Sequence, residues 1–228
     1  MTVHPAVEAV PMSHPPPDAA QSPTESRIRP TRLPPDPVVV ARQQAWLEAL
    51  REKLAGWLPR DGRTLVWEIG CGHGHFLTAY AAAHPAVFCV GVDTKAERVA
   101  RAERKRERAG LANLRFVRAE ARMFLAALPP SATLAAVFVL FPDPWPKRRH
   151  HKHRLLGEDF FRVLAARVGQ GTLFCLRTDH EPYFREVAAV LTAHPDWRLA
   201  PDEAWPFEHT TVFQQRAAAH YSLMARRR

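Results

Sequence analysis

A chain of 228 residues with 46% hydrophobic content is long enough for one domain with a layered core and short for two. Its formal charge of +9 argues against an enzyme of small neutral metabolites and suits a polyanionic partner, although a merely solvated basic surface explains the charge equally well, so local clustering must decide. No stretch reaches the ~20 apolar residues of a membrane span, no basic-then-apolar leader is visible, and Cys71, Cys89 and Cys175 sit in apolar runs at no metal-like spacing, which predicts buried free thiols and a cytoplasmic setting.

Residues 1 to about 37 hold 10 of the 21 prolines with almost no aliphatic periodicity, so a disordered tail is expected there and a folded domain over 38–228. Trp46, Leu47, Leu50, Leu54 and Trp57 then recur at helical spacing, predicting an amphipathic helix over 41–57. Beyond Pro59 short apolar runs alternate with amphipathic segments, the pattern of a parallel sheet covered by helices on both faces. Strands are predicted at 64–69, 87–92, 114–118, 134–141 and 172–178, with helices at 75–84, 95–109, 120–128, 158–168 and 181–193. Residues 220–225, with Tyr221, Leu223 and Met224, are a candidate closing strand.

The run Val66-Trp-Glu-Ile-Gly-Cys-Gly-His-Gly74 ends a strand and opens a helix, with glycines at 70, 72 and 74. A dinucleotide fingerprint spaces its glycines G-x-G-x-x-G to bring a pyrophosphate onto a helix N-terminus, and this G-x-G-x-G loop does not. It suits a ligand whose amino-acid end lies against bare backbone, and Glu68 supplies a carboxylate for a cationic one. S-adenosylmethionine, with an ammonium and a sulfonium, fits that description. Asp93, ending Val90-Gly-Val-Asp93 about two dozen residues after the loop, is placed to accept from both ribose hydroxyls. Glu120 follows the third strand and is a candidate acceptor for the adenine amine. Each acid alone reads equally as a solvated surface residue; three at the ends of three consecutive strands read as a cofactor site.

The most informative stretch leaves the fourth strand as Val139-Leu-Phe-Pro-Asp-Pro-Trp-Pro-Lys-Arg-Arg-His-His-Lys-His-Arg-Leu155. Three prolines in five residues fix φ and remove donors, so Asp143 and Trp145 are offered by a stiff loop. Five Lys or Arg and three His follow in eight residues with no acid among them. The histidines lack the spacing and the Cys or carboxylate partners of a metal site, so no metal is expected. Seven Lys or Arg between Lys95 and Arg108 are mixed with Glu97, Glu103 and Glu107; they read first as a solvated helix face and second as a phosphate contact, as do Arg226 to Arg228. His73 and His75 read as surface residues at a helix N-terminus.

With these residues the sequence resembles the tRNA (guanine-N7-)-methyltransferase family, in which a Glu-Ile-Gly loop is followed by a Phe-Pro-Asp-Pro-Trp-Pro-Lys-Lys/Arg-Arg-His-His-Lys run. The likeness covers about 65–216 and includes Thr178-Asp-His-Glu-Pro-Tyr183 and Thr211-Val-Phe-Gln-Gln-Arg216. It implies a doubly wound, mostly parallel seven-stranded α/β sheet and methyl transfer from S-adenosylmethionine to N7 of a guanosine in the variable loop of tRNA. By the same likeness Glu68, Gly70, Gly72, Asp93, Glu120 and Asp143 line the cofactor site. Lys147, Asp179 and Thr211, Val212, Phe213 and Gln214 meet the substrate, and Arg149, His150, His151, Lys152, His153 and Arg154 lie along the RNA. Guanine N7 offers an in-plane lone pair, so Asp143 is expected to act by charge rather than by taking a proton.

Two positions depart from the family pattern. Glu120 stands where the family more often has Asp, one methylene longer. Gln214 stands in place of a Glu, and an amide offers one acceptor where a carboxylate accepts from both N1–H and the exocyclic amine of guanine. Either Asp179 carries that edge alone or the base is held less tightly. Three other readings stay open: a methyltransferase for a different RNA or small-molecule acceptor, a weakened tRNA-binding relative, and a nicotinamide oxidoreductase, the last disfavoured by the glycine spacing. The expected assembly is a monomer or homodimer.

Overall fold

The computed structural model describes residues 36–58, 64–209 and 219–228. The expected proline-rich tail therefore lies outside the described residues. Helix α1 (Pro37–Trp57) starts four residues earlier than predicted and buries Leu50 and Leu54 against α4 (Ala121–Ala127). Strands β1 (Leu65–Ile69), β2 (Phe88–Asp93) and β3 (Leu114–Arg118) alternate with α2 (His75–Ala83) and α3 (Ala96–Arg108). After α4 come β4 (Leu134–Leu140), a short 3-10 helix (Arg148–His153), α5 (Glu158–Ala165), β5 (Leu173–Thr178) and α6 (Glu181–Ala193). The chain closes with β6 (Trp197–Leu199) and β7 (Tyr221–Arg227).

The seven strands run in the order β3-β2-β1-β4-β5-β7-β6, and the fold is the expected doubly wound, mostly parallel sheet. β1 pairs in parallel with β2 on one side and β4 on the other, so the chain reverses its direction of growth between them. Such a switch point opens a crevice at the carboxyl ends of the strands. Among the described strands only β7 runs against the sheet, between β5 and β6. β6 was not foreseen: three residues carry too little pattern to mark a strand, and it exists because Trp197 is fully buried against Phe161 and Phe174.

Strand alternation divides the core. Leu65, Trp67 and Ile69 face the layer of α1, α4, α5 and α6, whereas Val66 faces the layer of α2 and α3. Burial on both faces matches the near-continuous apolar strands of a covered parallel sheet. The three cysteines are free and buried, as their apolar surroundings predicted.

Candidate active site

The glycine loop follows directly from the register. Ile69 pairs with Val92 and Val139, so the chain leaving β1 emerges between the ends of β2 and β4. Gly70, Gly72 and Gly74 all have positive φ, at 72°, 54° and 69°. Gly74 is the most constrained, because a Cβ there would lie 2.5 Å from the Phe116 ring and 2.8 Å from Ala102. At Gly70 and Gly72 a Cβ would meet nothing within 4 Å; it would project into the open space that the loop borders.

Asp93 is 5% exposed and anchored by backbone. One carboxylate oxygen accepts from Gly72 N at 3.1 Å and the other from Lys95 N at 2.8 Å, while the Arg98 guanidinium stands 3.7 Å away. Beside it opens a cavity of about 430 Å³. Gly70, Asp93, Glu120 and Asp143, expected to line a cofactor site, all line it. So do Trp145 of the stiff loop, Tyr183 of the Thr178–Tyr183 motif, and Thr94, Arg98 and Arg122, which sequence reasoning did not single out, together with Lys152, His153 and Arg154 from the basic run. Gly72 reaches the site through the hydrogen bond its backbone N–H donates to Asp93 and does not line the cavity.

Glu68 lies beneath the glycine loop, 3% exposed, and is not part of the cavity lining. Two residues beyond Val66 on the same strand, it faces the α2 side of the sheet. Burial pushes its carboxyl up to about 8, opposed by a hydrogen bond from the Leu77 amide and assisted by the charge of Asp93. The sequence placed it as a carboxylate for a cationic ligand; the structure sets it beneath the glycine loop, not on the cavity wall. Its Oε2 has no partner among the described residues.

The proline loop is held by side chains from distant elements. Phe141 and Trp145 bracket Asp143 and are the two described non-glycine residues with positive φ, at 51° and 44°. Such conformations cost on the order of 1–3 kcal/mol each and persist where surrounding contacts dictate them. Phe141 N donates to Arg177 O at 2.7 Å, fixing the exit from β4. The Trp145 ring, 37% exposed, packs against His153 at 5.1 Å and His150 at 5.9 Å. Backbone bonds from His150 N to Lys147 O and from Arg154 N to His151 O shape the 3-10 turn that carries both histidines.

Arg154 also departs from expectation. Its side chain is 4% exposed and turned inward. Its Nε donates to Pro144 O at 2.8 Å, one terminal nitrogen pairs with Glu186 of α6, and the guanidinium lies 4.8 Å over the Tyr183 ring. Tyr183, fully buried, accepts a hydrogen bond from Leu156 N at 3.3 Å. Arg154, Tyr183 and Glu186 thus fasten the loop that carries Asp143 to α6.

Lys147, Arg149 and Asp179 are exposed, His150 and His151 are partly exposed, and none of these lines the cavity. Asp179 follows β5 beside Thr178, whose hydroxyl accepts from His180 N. Thr211, Val212, Phe213 and Gln214 lie outside the described residues. The segment leading to them is tied down by Arg177, which is buried, stacks 3.9 Å over Trp205 and donates to both oxygens of Glu208. Among the described residues no group of three or more His, Cys, Asp or Glu is arranged to hold a metal ion, and no helix is long and apolar enough to cross a membrane.

The geometry fits a ligand of the kind the loop suggested. Bare backbone at Gly70 and Gly72, an orphan acceptor under the loop at Glu68, and a strand-end carboxyl at Asp93 suit an amino-acid end joined to a ribose. Residues 62–222 match the model of a family described as "putative methyltransferase". The solved aminoglycoside resistance methyltransferase NpmB1 has the same fold, at 20% identity and a TM-score of 0.50 over 80% of this chain and 93% of that one. Fold and site together define a methyltransferase of the doubly wound α/β class.

Narrower relatives share its sequence. The tRNA (guanine-N(7)-)-methyltransferase of Thermus thermophilus is 42% identical over 148 residues, 65% of this chain and 46% of that protein. The protein of the same name from Rubrobacter xylanophilus is 36% identical over 183 residues, 75% of this chain and 81% of its own length. The chain belongs to the tRNA (guanine-N(7)-)-methyltransferase family. It spans about half the length of the Thermus thermophilus relative and of the Nocardia farcinica one, 46% and 51% respectively.

Proposed function

We propose that the protein transfers a methyl group from S-adenosylmethionine to N7 of a guanosine in the variable loop of tRNA. The observation that carries this reading is the proline loop. It brings Asp143 into the lining of the same cavity as Asp93, with an acid-free basic turn immediately behind it in sequence. The donor, when bound, supplies an electrophilic methyl carbon on a positively charged sulfur.

Every other contribution comes from the chain. Asp93 holds the ribose and Glu120 the adenine end, while Gly70 lets the backbone approach the amino-acid end. N7 keeps its lone pair in the ring plane, so no base is needed to free it. Bringing N7 to about 3 to 3.5 Å of the methyl carbon removes an entropic barrier. Asp143 then favours the positive charge that develops on the purine. Because N7 faces the deep groove of A-form RNA, an unpaired or splayed loop nucleotide is the natural target. Asp179 and Gln214 grip its Watson–Crick edge with Thr211, Val212 and Phe213 alongside, and Lys147, Arg149, His150, His151, Lys152 and His153 follow the backbone.

Isotope-labelled methyl donor incubated with unmodified tRNA, followed by nucleoside analysis, is expected to place the label in 7-methylguanosine. Label in another nucleoside or in no RNA refutes the reading.

A further inference from the structure

A second basic feature lies apart from the proline loop. His73 and His75, from the glycine loop and the start of α2, face Arg101, Arg104, Lys105 and Arg108 of α3 across an open cleft of about 360 Å³. The four α3 cations recur at i, i+3, i+4 and i+7, so they share one face of the helix. None has an ion-pair partner among the described residues, and two of the three acids of the helix are engaged elsewhere. Glu103 binds Arg106 at 2.7 Å and the Phe116 amide, and Glu107 binds Arg106 at 3.3 Å. Glu97 lies one turn N-terminal of Arg101, at the start of the helix.

Arg101, Arg104 and Arg108 are exposed, as on a solvated helix face, but Lys105 between them is not. Lys105 Nζ is enclosed and has no hydrogen-bond partner among the described residues. Burial, then the charge of Arg108, lowers the Lys105 pKa; burial, then Lys105, His73 and His209, lowers that of His75. Cations are crowded here with nothing to neutralise them, an arrangement that an incoming anion relieves. From Arg101 to Arg108 the row runs roughly 10 Å along the helix at 1.5 Å per residue. That is a stripe, longer than a cup for one phosphate and matched to several consecutive phosphates of a polynucleotide.

We infer that this cleft, bordered by the later part of the glycine loop, is a second anchor for the sugar-phosphate backbone of the RNA. The inference rests on the proposed action on tRNA. Gly70 borders the cavity and His73 the cleft, so at most about 11 Å of chain separates the two, a few nucleotides of backbone. Contacts of this kind carry no base specificity and fix only where the RNA lies.

The test is the triple variant Arg101→Gln, Arg104→Gln, Arg108→Gln, all exposed positions where glutamine keeps comparable helix propensity. A matched variant, Arg42→Gln, Arg51→Gln, Lys53→Gln on α1, removes the same charge elsewhere. For the cleft variant, tRNA affinity at physiological salt is expected to fall about tenfold or more. The slope of log K against log salt should also flatten by roughly two, with methyl-donor affinity and melting temperature unchanged. An equal loss in the α1 variant, or unchanged affinity and slope in the cleft variant beside a wild type that methylates tRNA, overturns the anchor alone. A wild type that neither binds nor methylates tRNA overturns the anchor and the proposed function together.

Discussion

The two halves of the crevice are built by different means. On the β1–β3 side the site is made by backbone: three left-handed glycines and a strand-end Asp93 whose oxygens are fixed by the amides of Gly72 and Lys95. On the β4–β5 side it is made by long-range side chains: Arg154 to Glu186 across α6, and Arg177 to Glu208 across the segment after β6. A site held by its own local backbone tolerates change elsewhere, whereas one held by remote ion pairs couples its geometry to several elements. If this contrast is correct, substitutions in the two halves should separate binding of the donor from turnover.

The largest effect is expected from Asp143→Ala. It should lower kcat by about a hundredfold or more at saturating tRNA and shift donor affinity only a few fold, the pattern of an interaction made chiefly in the transition state. A kcat within a few fold of wild type removes Asp143 from the charge-stabilising role. Asp93→Ala should show the reverse, weakening donor affinity by tens of fold in calorimetry, since both ribose acceptors and the anchor of Gly72 go together.

Next comes the fastening of the proline loop. Arg154→Ala should reduce kcat by about tenfold with donor affinity near wild type, and Glu186→Gln should do so less. The double variant should cost less than the sum of the two, because both residues serve one contact. Full additivity would show that Arg154 acts independently of Glu186.

A last effect is on stability rather than turnover, and pH reads it. Glu68 has a folded-state pKa of about 8 against an ordinary 4.5, so the folded protein binds the extra proton between those values. The stability this gives is fully present below about 4.5 and is lost as pH rises through about 8. Wild-type melting temperature should therefore fall relative to Glu68→Gln across that window. Parallel profiles would mean that Glu68 is already ionised when buried.

Most of the β1–β3 half was legible because its chemistry is local. Strand, glycine spacing and terminal acid follow one another within about two dozen residues, and burial on both faces leaves a near-continuous apolar run to read. The burial of Glu68 was not legible because a motif fixes a residue's place along a strand and not which covering layer it faces. On the β4–β5 side the rigidity of the proline loop could be read from its composition. The partners that aim it could not, since Glu186 lies 32 positions from Arg154 and Glu208 lies 31 from Arg177. The 3-10 turn escaped notice because a run of Arg, His and Lys has no apolar period; backbone bonds and the Trp145 ring shape it. The α3 stripe was visible as charge, but only the tertiary fold set it opposite His73 and His75.

The inward turn of Arg154 also bears on how strongly ionic strength should govern complex formation. A tally of positive residues is not a tally of grips on a polyanion. Of the five lysines and arginines in 147–154, one is committed to the interior, so the segment can displace at most four condensed counterions through Lys147, Arg148, Arg149 and Lys152.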